Sequence, residues 1–224
     1  MWKRAAEVVA VMLQTWPLRL LGLILVGLIL TACDLMPQRS DPVVKIGLVA
    51  PFEGRYRDVG YDVIYSARLA IREANLASGS GQTKTLLVAV DDFGDPEIAR
   101  ESAKAMTLDP DVMAVIGHWL PGTTAAARPV YEASGLAFIE AGQGFFGATD
   151  PASLDAGFLR AYEDITPFDE TAGPYAGSAY DGVRLILAAM AAIEAGGDAI
   201  DRASVNDKLE TFSFEGLTGT VRKG

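Results

Sequence analysis

The side chains that most often catalyse reactions or bind metals are few in this chain. Its single cysteine, Cys33, excludes an internal disulfide and any multi-cysteine metal site. Its single histidine, His118, excludes a His-rich metal centre, and a Ser-His-Asp triad would depend on that one residue. The sequence also has no phosphate-binding loop and no dinucleotide glycine fingerprint. We therefore expect a protein that is not an enzyme and that holds neither a cofactor nor a metal.

Two sets of polar residues remain open to a functional and a structural interpretation. Asp91, Asp92 and Asp95 are clustered carboxylates of the kind that hard cations prefer. We favour a structural role for them, because Asp95-Pro96-Glu97 is typical of a helix start with an aspartate cap. His118 is the one side chain able to titrate near neutrality without perturbation. It either takes part in a site or simply closes the strand that it follows.

Composition and charge narrow the possible partners. The chain has 224 residues, of which 50% are hydrophobic and 21% are charged, a balance that excludes a disordered chain. It carries 29 acidic and 19 basic residues, a net charge of -10. A chain this acidic is a poor candidate for binding nucleic acid or anionic lipid through surface charge.

The N-terminus has the features of an export signal. Lys3, Arg4 and Arg19 supply positive charge, and residues 20–30 are an uncharged apolar run of 11 residues. Such a run is too short for a conventional membrane-spanning helix but suits a signal peptide. It ends in LTAC at residues 30–33, which resembles the bacterial lipoprotein signal, in which the cysteine is acylated.

This resemblance implies a signal peptide at 1–32, lipid attachment at Cys33 and a tether at 33–42, with the folded lobe at 43–224. We expect an exported protein that is anchored on the outer face of the cell membrane, in the periplasm or at the cell surface. The alternative is that Cys33 happens to end an uncleaved signal anchor.

The rest of the chain alternates between strand and helix patterns. Apolar runs at 43–50, 85–90, 112–117 and 136–141 predict strands, separated by segments with helical periodicity. A parallel sheet covered on both faces follows from this pattern, and such sheets bind ligands at the carboxyl ends of their strands. Residues 143–155 show no clear period. Later segments predict a short helix at 158–162, a long helix from about 175 to 195, a helix capped by Asp201 and a turn with a short strand at 216–221.

Several stretches together are similar to the type I periplasmic binding proteins, in particular the leucine/isoleucine/valine-binding group of ABC importers. They include KIGLVAPFEG at 45–54, DDFGDPEIA at 91–99, VMAVIGH at 112–118, PVYEASGLAFIEA at 129–141 and FEGLTGTV at 214–221. The resemblance implies an α/β fold with a Rossmann-like (flavodoxin-like) three-layer lobe. Members of this group have two lobes, but most of the second lobe is missing here between about residues 144 and 158. We therefore expect one lobe, made of 43–143 and a returning segment at 158–221.

The resemblance also implies where a ligand would bind. In this group the loop after the third strand and the start of the next helix hold the ligand carboxylate, and the fourth strand end adds contacts. The matching positions are His118, Trp119, Gly122, Thr123, Thr124, Ala141, Gly142 and Gln143. Two departures weaken the match: Pro121 cannot donate an N–H, and Val59 replaces an aromatic wall. In the alternative interpretation, Thr123 only caps a helix and Gly142 only forms a strand-end turn.

The function that this resemblance implies is a lipid-anchored, extracytoplasmic solute-binding protein of an ABC importer. Its ligand would be a small polar solute such as an amino acid or an amide. Its partners would be an ABC permease or a second chain that supplies the missing lobe. The alternatives are an interaction or dimerisation module, or a truncated relic, that has lost ligand binding.

Overall fold

Strands and helices alternate along the chain in the order that the apolar runs predict. The computed structural model describes residues 41–167 and 170–223. The predicted signal peptide, the predicted lipid-attachment site Cys33 and residues 34–40 of the predicted tether lie outside these described residues. The elements are β1 Val43–Ala50, α1 Arg57–Ala77, β2 Lys84–Asp91, α2 Pro96–Leu108, β3 Val112–Gly117, α3 Pro121–Ser134, β4 Ala137–Glu140, α4 Ala156–Ile165, α5 Ala176–Ala195, α6 Arg202–Thr211, β5 Ser213–Gly216 and β6 Gly219–Arg222.

The first four strands form one parallel sheet in the order β2-β1-β3-β4. Ile46 of β1 pairs with Leu87 of β2 on one side and with Ala114 of β3 on the other. All four carboxyl ends therefore lie along the same edge of the sheet, and this edge is called the carboxyl edge below. β5 and β6 form a separate antiparallel hairpin.

Successive side chains of a strand point to opposite faces of the sheet. Because apolar side chains lie on both faces here, both are buried, and helices cover each of them. In β1, Ile46 and Leu48 belong to the core shared with α1, α4, α5 and α6. Val49 points the other way, into a smaller core shared with α2 and α3. Two cores on opposite faces of one parallel sheet make a three-layer α/β lobe, which confirms the fold class expected from the sequence.

The helix starts follow the capping residues in the sequence. Asp95 accepts hydrogen bonds from the backbone N–H of Glu97 and of Ile98, with Pro96 at the first helical position of α2. Asp201 and Ser204 form a capping box at the start of α6. Both starts confirm the predicted caps, and each cap satisfies donors that a helix leaves open at its first turn.

α5 is the central helix of the larger core. Among the described residues it is the one helix long and apolar enough to cross a membrane by length and composition, but most of it is buried in the lobe. It begins and ends where the sequence predicts. Its buried Asp181 accepts hydrogen bonds from the backbone N–H of Leu217 and of Thr218, which fixes the turn of the β5–β6 hairpin.

Two segments differ from the expectation. The short helix predicted at 158–162 is longer, and the single strand predicted at 216–221 is an antiparallel hairpin. Residues 143–155, for which no regular element was predicted, contain two short 3-10 turns and no strand. The hairpin strands give only a weak periodic signal, because a four-residue strand shows only two side chains on each face.

Asp62 of α1 anchors the segment that leads into α5. Its carboxylate is largely buried and accepts hydrogen bonds from the backbone N–H of Gly173 at 2.8 Å and of Tyr175 at 3.1 Å. These bonds join residues more than a hundred positions apart in the sequence. The carboxylate therefore replaces the hydration that two irregular backbone groups lose on burial.

We expect Asp62→Ala to lower the free energy of unfolding by about 2 kcal/mol, because two buried N–H groups lose a charged acceptor. Asp58→Ala is the matched control, since Asp58 lies one turn earlier with a 96% exposed side chain. Urea denaturation followed by circular dichroism measures both. An equal, small effect of the two substitutions would contradict the anchoring role.

The effect of Asp62→Ala should also depend on pH. Burial is the largest influence on this carboxyl and raises its pKa above the usual value, although the two N–H donors act to lower it. The folded state then holds the proton more tightly than the unfolded state, so stability falls as pH rises through the folded pKa. The difference in the free energy of unfolding between wild type and Asp62→Ala should become smaller from about pH 3 to about pH 7. A difference that grows over this range would mean that the pKa of Asp62 is lowered in the folded state, which would contradict the burial argument.

Candidate functional site

The predicted ligand residues lie in two loops at the carboxyl edge, one after β3 and one after β4. The loops touch, because Gly142 lies against the backbone carbonyl of Trp119. The structure therefore brings together the two segments that the sequence placed separately. Their side chains differ widely in exposure, and this difference determines what each can offer a ligand.

The start of α3 offers backbone donors rather than side-chain donors. Its N-cap residue is Leu120, which makes no side-chain cap, and Pro121 occupies the first helical position. Gly122 is exposed and comes next. The first-turn N–H groups of a helix have no intrahelical acceptor and carry partial positive charge. The N–H group of the exposed Gly122 can therefore face an anion, while Pro121 contributes none.

The two threonine hydroxyls of this turn are already bonded within the loop. Thr123 Oγ1 donates to the carbonyl oxygen of Leu120 at 2.9 Å, and Thr124 Oγ1 donates to the carbonyl oxygen of His118 at 2.5 Å. Both residues are almost fully buried. Thr123 therefore does not act as the N-cap, which was the alternative interpretation of this residue.

The loop after β4 depends on a glycine. Gly142 has a φ of +82°, and a Cβ placed there would lie 2.3 Å from the carbonyl oxygen of Trp119. Its N–H donates to the carbonyl oxygen of Phe146 at 2.8 Å, which folds the loop back. Ala141 is buried, whereas Gln143 is exposed and its Nε2 donates to Glu140 at 3.2 Å. Gln143 thus keeps a polar side chain at the surface of the carboxyl edge.

We expect Gly142→Ala to lower the free energy of unfolding by about 1–3 kcal/mol more than Gly144→Ala does. Only the first substitution places a methyl group against the backbone of Trp119. Gly144 is a matched control: its φ is +57°, so it bears similar backbone strain, but nothing lies within 4 Å of its Cβ position. Chemical denaturation of the two variants measures the difference. Equal losses of stability would mean that the Trp119 contact does not constrain the loop.

His118 is a fully buried side chain with both ring nitrogens engaged. Its Nδ1 lies 2.8 Å from Asp92 Oδ2, and its Nε2 lies 3.2 Å from the hydroxyl of Tyr131. Asp92 is also fully buried. Burial raises the pKa of the Tyr131 hydroxyl well above its usual value, so this phenol keeps its proton. Sequence reasoning considered Asp92 and His118 separately, since nothing local connects residues 26 positions apart.

Trp119 is buried, and its indole Nε1 has no hydrogen-bond partner within the described residues. It packs in the larger core, which also contains Ala141 and Phe146. Asp91 Oδ2 is the other buried side-chain atom without a partner in the described part of the chain. Buried polar atoms without partners are uncommon, and here both belong to residues at the carboxyl edge.

The aspartates after β2 organise this loop. Asp91 Oδ1 accepts from the backbone N–H of Phe52 and of Phe93, and Asp92 Oδ1 accepts from that of Gly94. Among the described residues, no group of three or more histidine, cysteine or acidic residues is placed to hold a metal ion. The structural interpretation of the cluster therefore accounts for all the contacts of these carboxylates.

Apolar side chains are exposed near these loops. Phe93 is 52% exposed and has a φ of +53°, a conformation that is uncommon for any residue other than glycine. Tyr61 and Ile98, in the first turns of α1 and α2, are also exposed. Tyr56 and Leu120 pack over Gly94 between them. The carboxyl edge thus combines backbone donors with exposed apolar groups.

Two sizeable clefts lie away from the start of α3. One of about 580 Å³ runs between α1 and α5, and its lining includes Glu73, Tyr180 and Arg184. The other, of about 720 Å³, lies beside β4, where its lining includes Leu136 and Phe138. Neither is lined by Gly122 or Thr123, whereas the predicted ligand residue Gln143 lines the second cleft.

Comparison with known proteins assigns residues 43–152 to a family model described as periplasmic binding protein. A Leu/Ile/Val-binding protein homolog 1 of Brucella abortus is 30% identical over 139 residues, 61% of this chain and 35% of that protein. A leucine-specific-binding protein of Salmonella typhimurium is 28% identical over 153 residues, 68% of this chain and 39% of that protein. This chain thus spans little more than a third of the length of these relatives.

Solved structures share the fold. The branched-chain amino acid transporter substrate-binding protein LivJ of Streptococcus pneumoniae, in complex with isoleucine, aligns with a TM-score of 0.64 and 16% identity. The alignment covers 80% of this chain and 91% of that chain. At this level of identity the likeness shows the fold alone, and it agrees with the α/β lobe described above.

Proposed function

Because this chain belongs to the type I periplasmic binding proteins, we propose that it is an extracytoplasmic solute-binding protein of an ABC importer, anchored through Cys33. The family binds solutes rather than catalysing a reaction, and its members act outside the cytoplasm. The proposed ligand is a small polar solute of the amino acid or amide class. An ABC permease, or a second chain that completes the site, is the proposed protein partner.

The open first turn of α3 is the observation that carries this proposal. Gly122 is exposed, and no side chain caps the helix. A carboxylate placed there would accept hydrogen bonds from first-turn N–H groups and lie at the positive end of the helix. Gly142 brings the second loop within contact distance of the first, so a ligand on α3 also meets the surface that carries Gln143.

The proposed amino acid ligand follows two proteins of the same fold. One of them was solved with isoleucine, and another, from Desulfitobacterium hafniense, was solved with leucine. Gly122 and Thr123 line neither of the two clefts described above, whereas good small-molecule sites bury about 70–90% of the ligand. We therefore propose an affinity no tighter than about millimolar, roughly -4 kcal/mol, unless another chain covers the site.

A charge added at Gly122 tests the ligand assignment. We expect Gly122→Asp to weaken L-leucine binding about tenfold, because its carboxylate occupies the positive end of α3 and repels that of the ligand. Gly122→Asn is the matched control, of similar size and without charge. The aspartate should not lower stability, since an acidic residue in the first turn favours the helix. The readout is NMR titration of the full-length chain in detergent micelles with L-leucine and L-leucinamide.

Wild type should prefer L-leucine to L-leucinamide, and this preference should disappear in Gly122→Asp. Equal weakening by aspartate and asparagine would show that the helix terminus does not hold the carboxylate. A wild-type chain that binds neither compound and sediments as a dimer would instead favour an interaction module. The exposed Tyr61, Phe93 and Ile98 are the observation that supports that second candidate.

The lipid anchor has its own test. Cells that express the wild-type chain should incorporate labelled palmitate into it, whereas Cys33→Ser should remain unlabelled, because the only thiol of the chain is removed. Ser40→Ala, outside the LTAC motif, serves as the control and should be labelled like wild type. Labelling of Cys33→Ser would place the acyl group elsewhere, and an unlabelled wild type would exclude lipidation in that host.

A further inference from the structure

We infer that Asp92, His118 and Tyr131 form a buried brace that sets the direction of the first-turn N–H groups of α3. In this account His118 is a positioning residue and does not contact the ligand. The inference rests on the proposed function, because it concerns the same helix terminus. Its evidence is separate, however, since it comes from hydrogen bonds inside the lobe.

Asp92, at one end of the brace, follows β2 and is held by backbone hydrogen bonds to β1 and to the start of α2. The N–H of Asp92 donates to the carbonyl oxygen of Ala50 in β1 at 3.2 Å. The carbonyl oxygen of Asp92 accepts from the N–H of Asp95, the N-cap of α2, at 2.8 Å. Its Oδ1 accepts from Gly94 at 2.9 Å, which leaves Oδ2 for His118. The position of this carboxylate is thus determined by backbone contacts on three sides.

His118 connects this carboxylate to two positions along α3. Nδ1 of His118 lies 2.8 Å from Asp92 Oδ2, within hydrogen-bond distance. Nε2 meets the hydroxyl of Tyr131, which lies in the last turn of α3. The carbonyl oxygen of His118 accepts from Thr124 Oγ1 in the first turn. One residue therefore contacts both the first turn and the last turn of the helix.

The brace is rigid because water does not reach it. The side chains of Asp92 and His118 are both 0% exposed. Removing one partner of such a pair leaves a buried polar group without its hydrogen bond, which is unfavourable. The imidazole ring also packs against Tyr131 and Phe138, with ring centroids 6.0 Å away in each case. These contacts restrict the ring to one orientation, and Gly122 follows only four residues later.

Two substitutions of His118 distinguish a hydrogen-bonding role in the brace from a role that only fills space. A space-filling ring needs its volume and its aromatic neighbours, whereas a brace needs a donor at the Nδ1 position. Asparagine places its amide nitrogen two bonds beyond Cβ, as His118 places Nδ1. Glutamine places its amide nitrogen three bonds beyond Cβ, as His118 places Nε2. His118→Asn therefore keeps the contact with Asp92, and His118→Gln keeps the contact with Tyr131 instead.

Residual dipolar couplings of the full-length chain in micelles report the N–H directions of Gly122 and Thr123 without any ligand. We expect His118→Asn to retain the wild-type couplings and to bind L-leucine within about twofold of wild type. We expect His118→Gln to change both couplings and to weaken binding about tenfold. Urea denaturation measures the stability of both variants, and the couplings are compared only under conditions where each chain is folded, so a change in N–H direction is separated from a loss of stability.

Unchanged couplings in His118→Gln, or equal changes in both variants, would overturn the brace. If neither histidine variant folds, Thr124→Val tests the other end, because it removes the hydroxyl that bonds the His118 carbonyl at nearly constant volume. Changed couplings in Thr124→Val support the brace, and unchanged couplings overturn it. A wild-type chain that does not bind L-leucine contradicts the proposed function. The couplings are recorded without ligand, so they still show whether the brace sets the N–H directions.

Discussion

A parallel sheet is stable only when both of its faces are buried, and the rest of this lobe follows from that requirement. Alternate side chains of β1 enter different cores, so helices must lie on both sides of the sheet. Each helix then crosses the lobe and returns the chain to the same starting edge. Each strand of the parallel sheet consequently ends at the carboxyl edge, and the segments that follow begin there. The loops and helix termini that could bind a ligand are brought together by this connectivity.

The same requirement explains how the lobe can hold together without a second parallel sheet. The larger core is completed by α4, α5 and α6, which follow the short connection after β4. Asp62 and Asp181 each hold a segment from the second half of the chain through backbone N–H groups. Buried carboxylates with several N–H donors therefore join segments that are distant in the sequence and have no strand to pair with.

Sequence patterns predicted the elements well where a local signal defines them. β1 and β3 have the predicted limits, and Asp95 and Asp201 start helices as predicted. The candidate site was predicted less completely. Its two loops do meet, but the burial of Thr123, Thr124 and His118 depends on carbonyl groups and on Asp92, whose positions follow from the assembled sheet. No spacing in the sequence contains that information.

In the proposed export of this chain, α5 has a further consequence. Before the sheet covers it, an apolar helix of this length would meet the translocation channel as a stop-transfer segment. Arg184 lies near its middle and Asp181 about one turn earlier, and a charge at the centre of an inserting helix costs about 2.5–3.5 kcal/mol. In the folded lobe, Asp181 holds the hairpin turn, and Arg184 lies over the rings of Tyr180 and Phe214. The side chains that hold the hairpin in the folded lobe would therefore also oppose retention of α5 in the bilayer during such export.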